Sequence, residues 1–230
     1  MQKPGKADFS LVLASSVHDM KNSLGMLLHS LEIMIRDTAV QDEAQAKHFA
    51  TLQYEASRIN TELIQLLSIY KMDNDGMPLR IDEHYVVETL EEQVARNDML
   101  LETRGLTLEI DCDEDLPWYY DSELVGGVVN NILVNGARYC KSRMRLSASI
   151  EDDQLVISVE DDGGGYPPSM LGSNEQSFKK SVSFTEGSTN LGLYFAQEVA
   201  RMHRRDDLVG AIELANGGEL GGGLFKIYLP

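Results

Sequence analysis

Two apolar stripes near the start of the chain constrain its fold more than any other feature. Phe9, Leu13, Val17, Met20, Leu24, Leu27, Leu31 and Ile35 stand three or four residues apart, and so do Phe49, Leu52, Ala56, Ile59, Leu63, Leu66 and Tyr70. That spacing puts each set on one face of an α-helix. The second set alternates threes and fours, as a bundle seam does. The stretch RDTAVQDEAQ separates the two, which makes them a helical hairpin. Two helices enclose little core. Pairing the hairpin with a copy of itself buries both stripes, so the sequence predicts a homodimeric four-helix bundle.

Past DNDGMP the pattern changes. LTLEIDC, MRLSASIE and LVISVED alternate or run apolar like strands, and GGGLFKIYLP reads as a last strand entered through glycines. Between them, VVETLEEQVARNDMLLETRG, SELVGGVVNNILVNGARYC and LGLYFAQEVARMH carry helical periodicity. The expected fold class is α+β. An N-terminal helical hairpin over residues 1–73 forms a dimeric four-helix bundle, and an α/β sandwich over residues 79–230 lays its helices on one mainly antiparallel sheet.

Composition narrows the function. With 230 residues, 43% of them hydrophobic and 25% charged, the chain has the makings of one or two globular domains. A net charge of -17 argues against nucleic acid or an anionic membrane as the main partner. No apolar run approaches the roughly 18 to 20 residues of a membrane helix, and MQKPGKADFS lacks the apolar core of a secretory signal. The expected location is cytoplasmic. Cys112 and Cys140 match no metal spacing and read as buried thiols.

The chemistry-bearing residues fall into four clusters. In SSVHDMKNSLGMLL, His18 lies roughly 130° from the centre of the first stripe at about 100° per residue. It is therefore exposed, in nearly the same direction as Asn22 and His29, and Gly25 keeps that face uncluttered. Asp19 can accept a hydrogen bond from one ring nitrogen of His18 and leave the other as a nucleophile; the plain alternative is a solvated neighbour pair. His29, His48, His84 and His203 read as solvated surface residues. In NNILVNGARY, Asn131 and Asn135 stand one above the other on a helix face with Arg138 further on. Either these are polar surface positions, or they are buried amides that Mg²⁺ and phosphate oxygens would satisfy. VISVEDDGGGYP ends a strand in Asp161, whose carboxylate can accept from the exocyclic amine of adenine, while Gly163 and Gly165 let the backbone turn sharply. GSTNLGLYFA places small residues at a helix N-terminus, where free N–H groups favour phosphate.

Taken in this order, the clusters resemble those of a two-component sensor histidine kinase: a dimerisation and histidine phosphotransfer hairpin (here residues 11–73), then the ATP-binding fold shared with DNA gyrase and MutL (here 79–230). HDMKN is similar to the family's H box, NILVNGARY to its N box, DDGGGYP to its first glycine box and NLGLYFA to its second. The resemblance implies that His18 is the phosphoacceptor, Asp19 the base that polarises it, and Asn22 a residue of phosphatase activity. It makes Asn135 the Mg²⁺ ligand and Asp161 the adenine reader, with Gly163, Gly165 and Gly192 as nucleotide-loop glycines. Asn131, Arg138, Tyr139, Thr189, Leu191 and Leu193 complete the implied ATP site. The implied activity is ATP-dependent autophosphorylation of His18 and transfer to an aspartate on a response regulator receiver domain, with a swing about the Asp73–Pro78 hinge.

Four features depart from the family pattern. KNS follows HDM where many members carry a proline, Gly136 stands where alanine is usual, and Asn190 replaces the first glycine of the second glycine box. Phe178 and Phe184 flank the place of a phenylalanine box that is not there. Residues 172–189 read as a lid, in which Lys179 and Lys180 either approach phosphate or are solvated. Asn190 and the missing box favour an alternative, a phosphorelay histidine phosphotransfer adaptor with a degenerate ATP site; Asn135, Asp161, Gly163 and Gly165 oppose it. Seventeen residues precede His18, too few for a sensor domain, so input is expected from a separate sensor protein or from a sensor region missing here.

Overall fold

The computed structural model describes residues 19–20, 22–27, 29–30, 33–34, 43–74, 78–172 and 191–230. The chain forms two compact units, Met1–Met77 and Pro78–Pro230. Among the described residues, no helix is long and apolar enough to cross a membrane.

In the first unit the residues described between 19 and 34 are helical, and helix α1 spans Glu43–Asn74. Phe9, Leu13, Val17, Leu31, Ile35, the connecting residues 36–42 and the Phe49 side chain lie outside the described residues. The apolar side chains that are described lie largely open. Met20, Leu27 and Met34 are 55%, 49% and 51% exposed, and Leu52, Ile59 and Leu66 are 54%, 43% and 42% exposed. Each trio repeats every seven residues, the period of a helix-packing seam. Ala56, Gln65 and Ile69 are buried.

The second unit closes its own core. Its sheet has the strand order β2-β4-β5-β9-β8, with β2 Thr107–Asp111, β4 Arg143–Glu151, β5 Gln154–Asp161, β8 Ala211–Asn216 and β9 Gly223–Leu229. Only the β2–β4 pair is parallel; the other three pairs are antiparallel, as expected from the sequence. The β4–β5 hairpin turns through Asp152 and Asp153, both at positive φ, the geometry of a two-residue turn matched to strand twist. Three helices form a layer against this sheet: α2 Val86–Arg104, α3 Ser122–Tyr139 and α4 Leu191–Met202. Met144, Leu146, Leu155, Ile157, Phe225, Ile227 and Leu229 from the strands meet Leu124, Val128, Ile132, Phe195, Ala196 and Val199 from α3 and α4 in the buried core. Two small pairs complete the unit: β1 Asp82–Tyr85 with β3 Pro117–Tyr120, and β6 Arg204–Arg205 with β7 Leu208–Val209.

The helix ends are capped. Helix α2 stops at Gly105, whose φ of 65° is left-handed and whose N–H donates back to the Glu102 carbonyl at 2.9 Å. Helix α3 starts at Asp121, whose Oδ1 accepts the Leu124 N–H at 3.0 Å. The other Asp121 oxygen accepts the Arg80 N–H at 2.9 Å.

Two expectations are corrected here. His203 is not solvated: it is 2% exposed, its Nε2 accepts the Asp121 N–H at 3.1 Å, and its Nδ1 lies 2.8 Å from the Val199 carbonyl. Burial lowers its pKa, and the neutral ring with the proton on Nδ1 satisfies both contacts. Cys112 and Cys140 are free thiols but only half-buried. Burial is the main cause that pushes each up to about 11, which makes both poor nucleophiles.

Candidate functional site

A cavity of about 290 Å³ opens between the C-terminal half of α3, the end of β5 and the start of α4. Ile132, Val159, Met170 and Leu193 give it apolar walls. Asn135, Gly136 and Tyr139 come from α3, Asp161 from the last position of β5, Gly165 to Pro167 from the loop after it, Gly192 from α4 and Gly223 from the start of β9.

Asp161 is held in place by backbone donors. Its Oδ1 accepts the Gly163 N–H at 2.7 Å and the Gly223 N–H at 3.2 Å, and its own carbonyl accepts the Gly222 N–H at 3.0 Å. The glycines are needed for room. A Cβ on Gly163 would meet the Tyr139 carbonyl, and one on Gly222 would meet the Asp161 carbonyl. The adjoining Asp162 ties α3 to β5: Oδ1 accepts the Lys141 and Ser142 N–H groups at 2.8 and 3.0 Å, and Oδ2 accepts the Ser142 hydroxyl at 2.7 Å. Desolvation pushes the Asp162 carboxyl up, but these bonds and that from the Cys140 thiol outweigh it and hold it well below the usual carboxylate range.

On α3, Asn135 donates its amide Nδ2 to Asn131 Oδ1 at 3.2 Å. Asn131 is buried, and its Nδ2 makes no hydrogen bond among the described residues, an orphaned donor of the kind a bound acceptor would satisfy. Gly192 packs directly on this amide, where any Cβ would collide. Tyr139 is exposed at the cavity mouth, and the Arg138 guanidinium lies 5.4 Å from its ring centroid rather than lining the cavity. Leu191 is half-buried at the first turn of α4. A Cβ on Gly136 would meet the Cε of the buried Met144, so a methyl there would require that side chain to shift.

In the first unit, Asp19 and Asn22 are exposed and helical, one turn apart. A Cβ on Gly25 would meet nothing, so that face is open. His18, Thr189, Asn190 and the stretch containing Phe178, Lys179, Lys180 and Phe184 lie outside the described residues.

The structure adds residues to the site that the motifs did not bring out. Tyr166 lines the cavity, and burial together with Asp161 raises its phenol pKa. Asn216 clasps the Tyr166 backbone, accepting its N–H at 2.6 Å and donating to its carbonyl at 2.8 Å. The glycines around residue 217 hinted at a turn there, but not at its partner.

This geometry fits a nucleotide: apolar walls for a base, a fixed carboxylate, and Asn135 with the start of α4 at Gly192 in the same lining, while Asn131 lies buried behind Gly192 and does not line the cavity. Among the described residues, no three His, Cys, Asp or Glu gather to hold a metal by themselves. A divalent cation here would rest on an amide oxygen and on the ligand's own phosphates.

Comparison with known proteins agrees with this reading. Residues 120–230 match the family described as histidine kinase-, DNA gyrase B-, and HSP90-like ATPase. The sensor protein SrrB of Staphylococcus aureus is 22% identical over 231 residues, 98% of this chain and 38% of SrrB. The chain thus spans about 38% of the length of the curated relatives it matches. Among solved structures, the histidine kinase AdeS of Acinetobacter baumannii has a TM-score of 0.58 at 19% identity, covering 92% of this chain and 96% of AdeS. Full-length ShkA, solved in complex with AMPPNP, has a TM-score of 0.63 at 19% identity, covering 95% of this chain and 45% of ShkA. The resemblance to a two-component sensor histidine kinase with an ATP-binding catalytic domain is borne out.

Proposed function

We propose, from the premise that residues 120–230 form an ATP-binding domain of the histidine kinase, DNA gyrase B and HSP90-like type, that this chain is the kinase core of a two-component sensor. It uses ATP to phosphorylate His18 and passes the phosphoryl group to an aspartate on a response regulator receiver domain. One observation carries this reading: the cavity ends on Asp161, whose Oδ1 is occupied by two backbone N–H groups. Oδ2 is then the oxygen that accepts from the adenine amine. Guanine presents a carbonyl at the same edge and would be repelled.

Residues in and beside the cavity divide the remaining work. Tyr139, Gly163 and Gly165 border the base, with Arg138 steadying the Tyr139 ring. Thr189, Leu191, Gly192 and Leu193 bring the N–H groups at the start of α4 to the phosphates, and Asn131 supports that turn from beneath Gly192. Asn135 would hold Mg²⁺, which would supply charge neutralisation to the triphosphate. Asp19 keeps His18 in the tautomer that presents a free ring nitrogen and stabilises the positive charge that grows on the ring. Asn22, one turn on, both donates and accepts hydrogen bonds, and orients a water against the phosphorylated receiver.

Residues 1–73 serve as the dimerisation and phosphotransfer domain and 79–230 as the catalytic domain, joined by a hinge at Asp73–Pro78. The open seven-residue rows of the first unit support a homodimer, since a second hairpin would cover them. Sensory input reaches this core from a separate protein or a region outside this chain.

Binding is tested by titrating ATP into the parent chain and Asp161→Asn. The substitution puts an amide where a carboxylate accepts, and a mismatched buried pair weakens binding by about tenfold or more. Equal affinity in the two proteins would overturn the assignment of Asp161.

A further inference from the structure

We infer that Asn216 is a positioning residue for base recognition: its side-chain amide bolts the loop that follows Asp161 to the loop that precedes Gly223. This rests on the ATP reading above and extends it to a residue outside the cavity wall.

The two N–H groups that orient Asp161 come from different segments, Gly163 from the loop after β5 and Gly223 from the first position of β9. The β5–β9 pairing and the Gly222 N–H bond hold Gly223 beside Asp161, and the loop beyond Gly163 needs a tie of its own to stay against them. Asn216 supplies it as a strand partner would, accepting the Tyr166 N–H at 2.6 Å and donating to the Tyr166 carbonyl at 2.8 Å. The approach is close enough to dictate the sequence opposite. Gly165 has φ +76°, and a Cβ there would stand 2.6 Å from Asn216 Oδ1, so only glycine fits.

The second loop is anchored at its far side as well. Glu160 accepts the Glu219 N–H at 3.0 Å, Arg145 pairs with the Glu219 carboxylate, and the Gly217 N–H closes the loop on the Gly222 carbonyl at 2.9 Å. With that loop rigid, the amide of Asn216 transmits its position to the first loop. Tyr166, whose backbone it grips, lines the cavity and packs against Gly223.

The chemistry selects asparagine. Aspartate would offer two acceptors and repel the Tyr166 carbonyl, and alanine offers nothing. Asn216 itself does not line the cavity, so its effect passes through Asp161 and Tyr166 and falls on the base rather than on the phosphates.

The test compares the parent chain with Asn216→Ala and Asn216→Asp by displacement of a fluorescent ATP analogue, using ATP, adenosine and inorganic triphosphate as competitors. Hydrogen exchange at the Tyr166 amide is followed in the nucleotide-free proteins. Loss of two hydrogen bonds should weaken ATP and adenosine by the same factor, about tenfold, leave triphosphate unchanged, and speed Tyr166 exchange. Asn216→Asp, which keeps an acceptor for the Tyr166 N–H but sets a carboxylate against the Tyr166 carbonyl, should weaken ATP and adenosine at least as much as alanine does. Parent-like ATP affinity in Asn216→Ala, or equal weakening of ATP and triphosphate, overturns the inference. If the parent chain itself binds no ATP, the nucleotide reading fails instead, and unchanged Tyr166 exchange in Asn216→Ala would still refute the clamp.

Discussion

The two units of this chain dispose of their apolar residues in opposite ways. In the second, the inward side chains of β4, β5 and β9 are almost wholly covered by α3 and α4. In the first, Met20, Leu27, Met34, Leu52, Ile59 and Leu66 lie open in rows of seven-residue period. One unit closes its own core; the other leaves apolar side chains open among its described residues. The difference matches the division of labour proposed for them. A nucleotide site needs fixed groups, such as Asp161 with its two backbone N–H donors, whereas a phosphoacceptor has to be reached by more than one protein.

The comparison is broken most directly at the open rows. Ile59→Glu combined with Leu66→Glu puts four charges into the seam of a dimer. We expect light scattering at micromolar concentration to change from dimer to monomer while ATP binding persists. A parent chain that is already monomeric would refute the bundle. The converse change lies in the closed core. Leu146→Ala should lower the stability of the second unit by about 2 to 5 kcal/mol and leave the dimer intact, as measured by urea unfolding and light scattering. A loss under about 1 kcal/mol would mean that the strand is less well packed than its burial implies.

A third change sharpens the functional contrast. Asn22→Ala should leave His18 phosphorylation at the parent rate yet slow dephosphorylation of the receiver by about a hundredfold, the scale of one acid–base or water-positioning group. An unchanged dephosphorylation rate would reduce Asn22 to a surface residue.

The smallest expected effect concerns His203, which joins the end of α4 to the cap of α3. Its folded-state pKa is lowered by burial, so the folded unit favours the neutral ring. The resulting stability is fully present above the unfolded-state value near 6.5 and is lost as pH falls through it toward the folded value. Parent stability should therefore decline from pH 7 to pH 5 with a slope of at most one proton from this group, and His203→Gln should remove that slope. Identical pH profiles would show that the ring titrates normally.

Much of this fold is legible in the sequence because local periodicity encodes it. The helices expected over 86–105, 122–140 and 191–203 end within a residue of α2, α3 and α4. The strands that were missed lack such a signature. β1 reads DEHY, with no apolar alternation, and β3 opens on Pro117, which argues against a strand. β8, AIELAN, is short and has one buried position, Leu214. Longer-range contacts explain the other differences. His203 is buried by Asp121, 82 residues away, and Asn216 finds Tyr166 50 residues away, so neither contact leaves a mark in the nearby sequence. The site was legible where one turn of chain carries the chemistry, as at Asp161 to Gly165 and Asn131 to Asn135. The apolar walls, Ile132, Val159 and Met170, look in sequence like any other core residues.

The central claim is that the nucleotide site of one unit serves the histidine of the other. The direct test is to incubate the dimer with Mg²⁺ and γ-labelled ATP, then locate the label by peptide mapping. The account predicts label on His18 that is acid-labile and base-stable, and none on His18→Gln although that variant binds ATP as the parent does. Parent protein that binds ATP yet carries no label on His18, or label that survives acid, would contradict it.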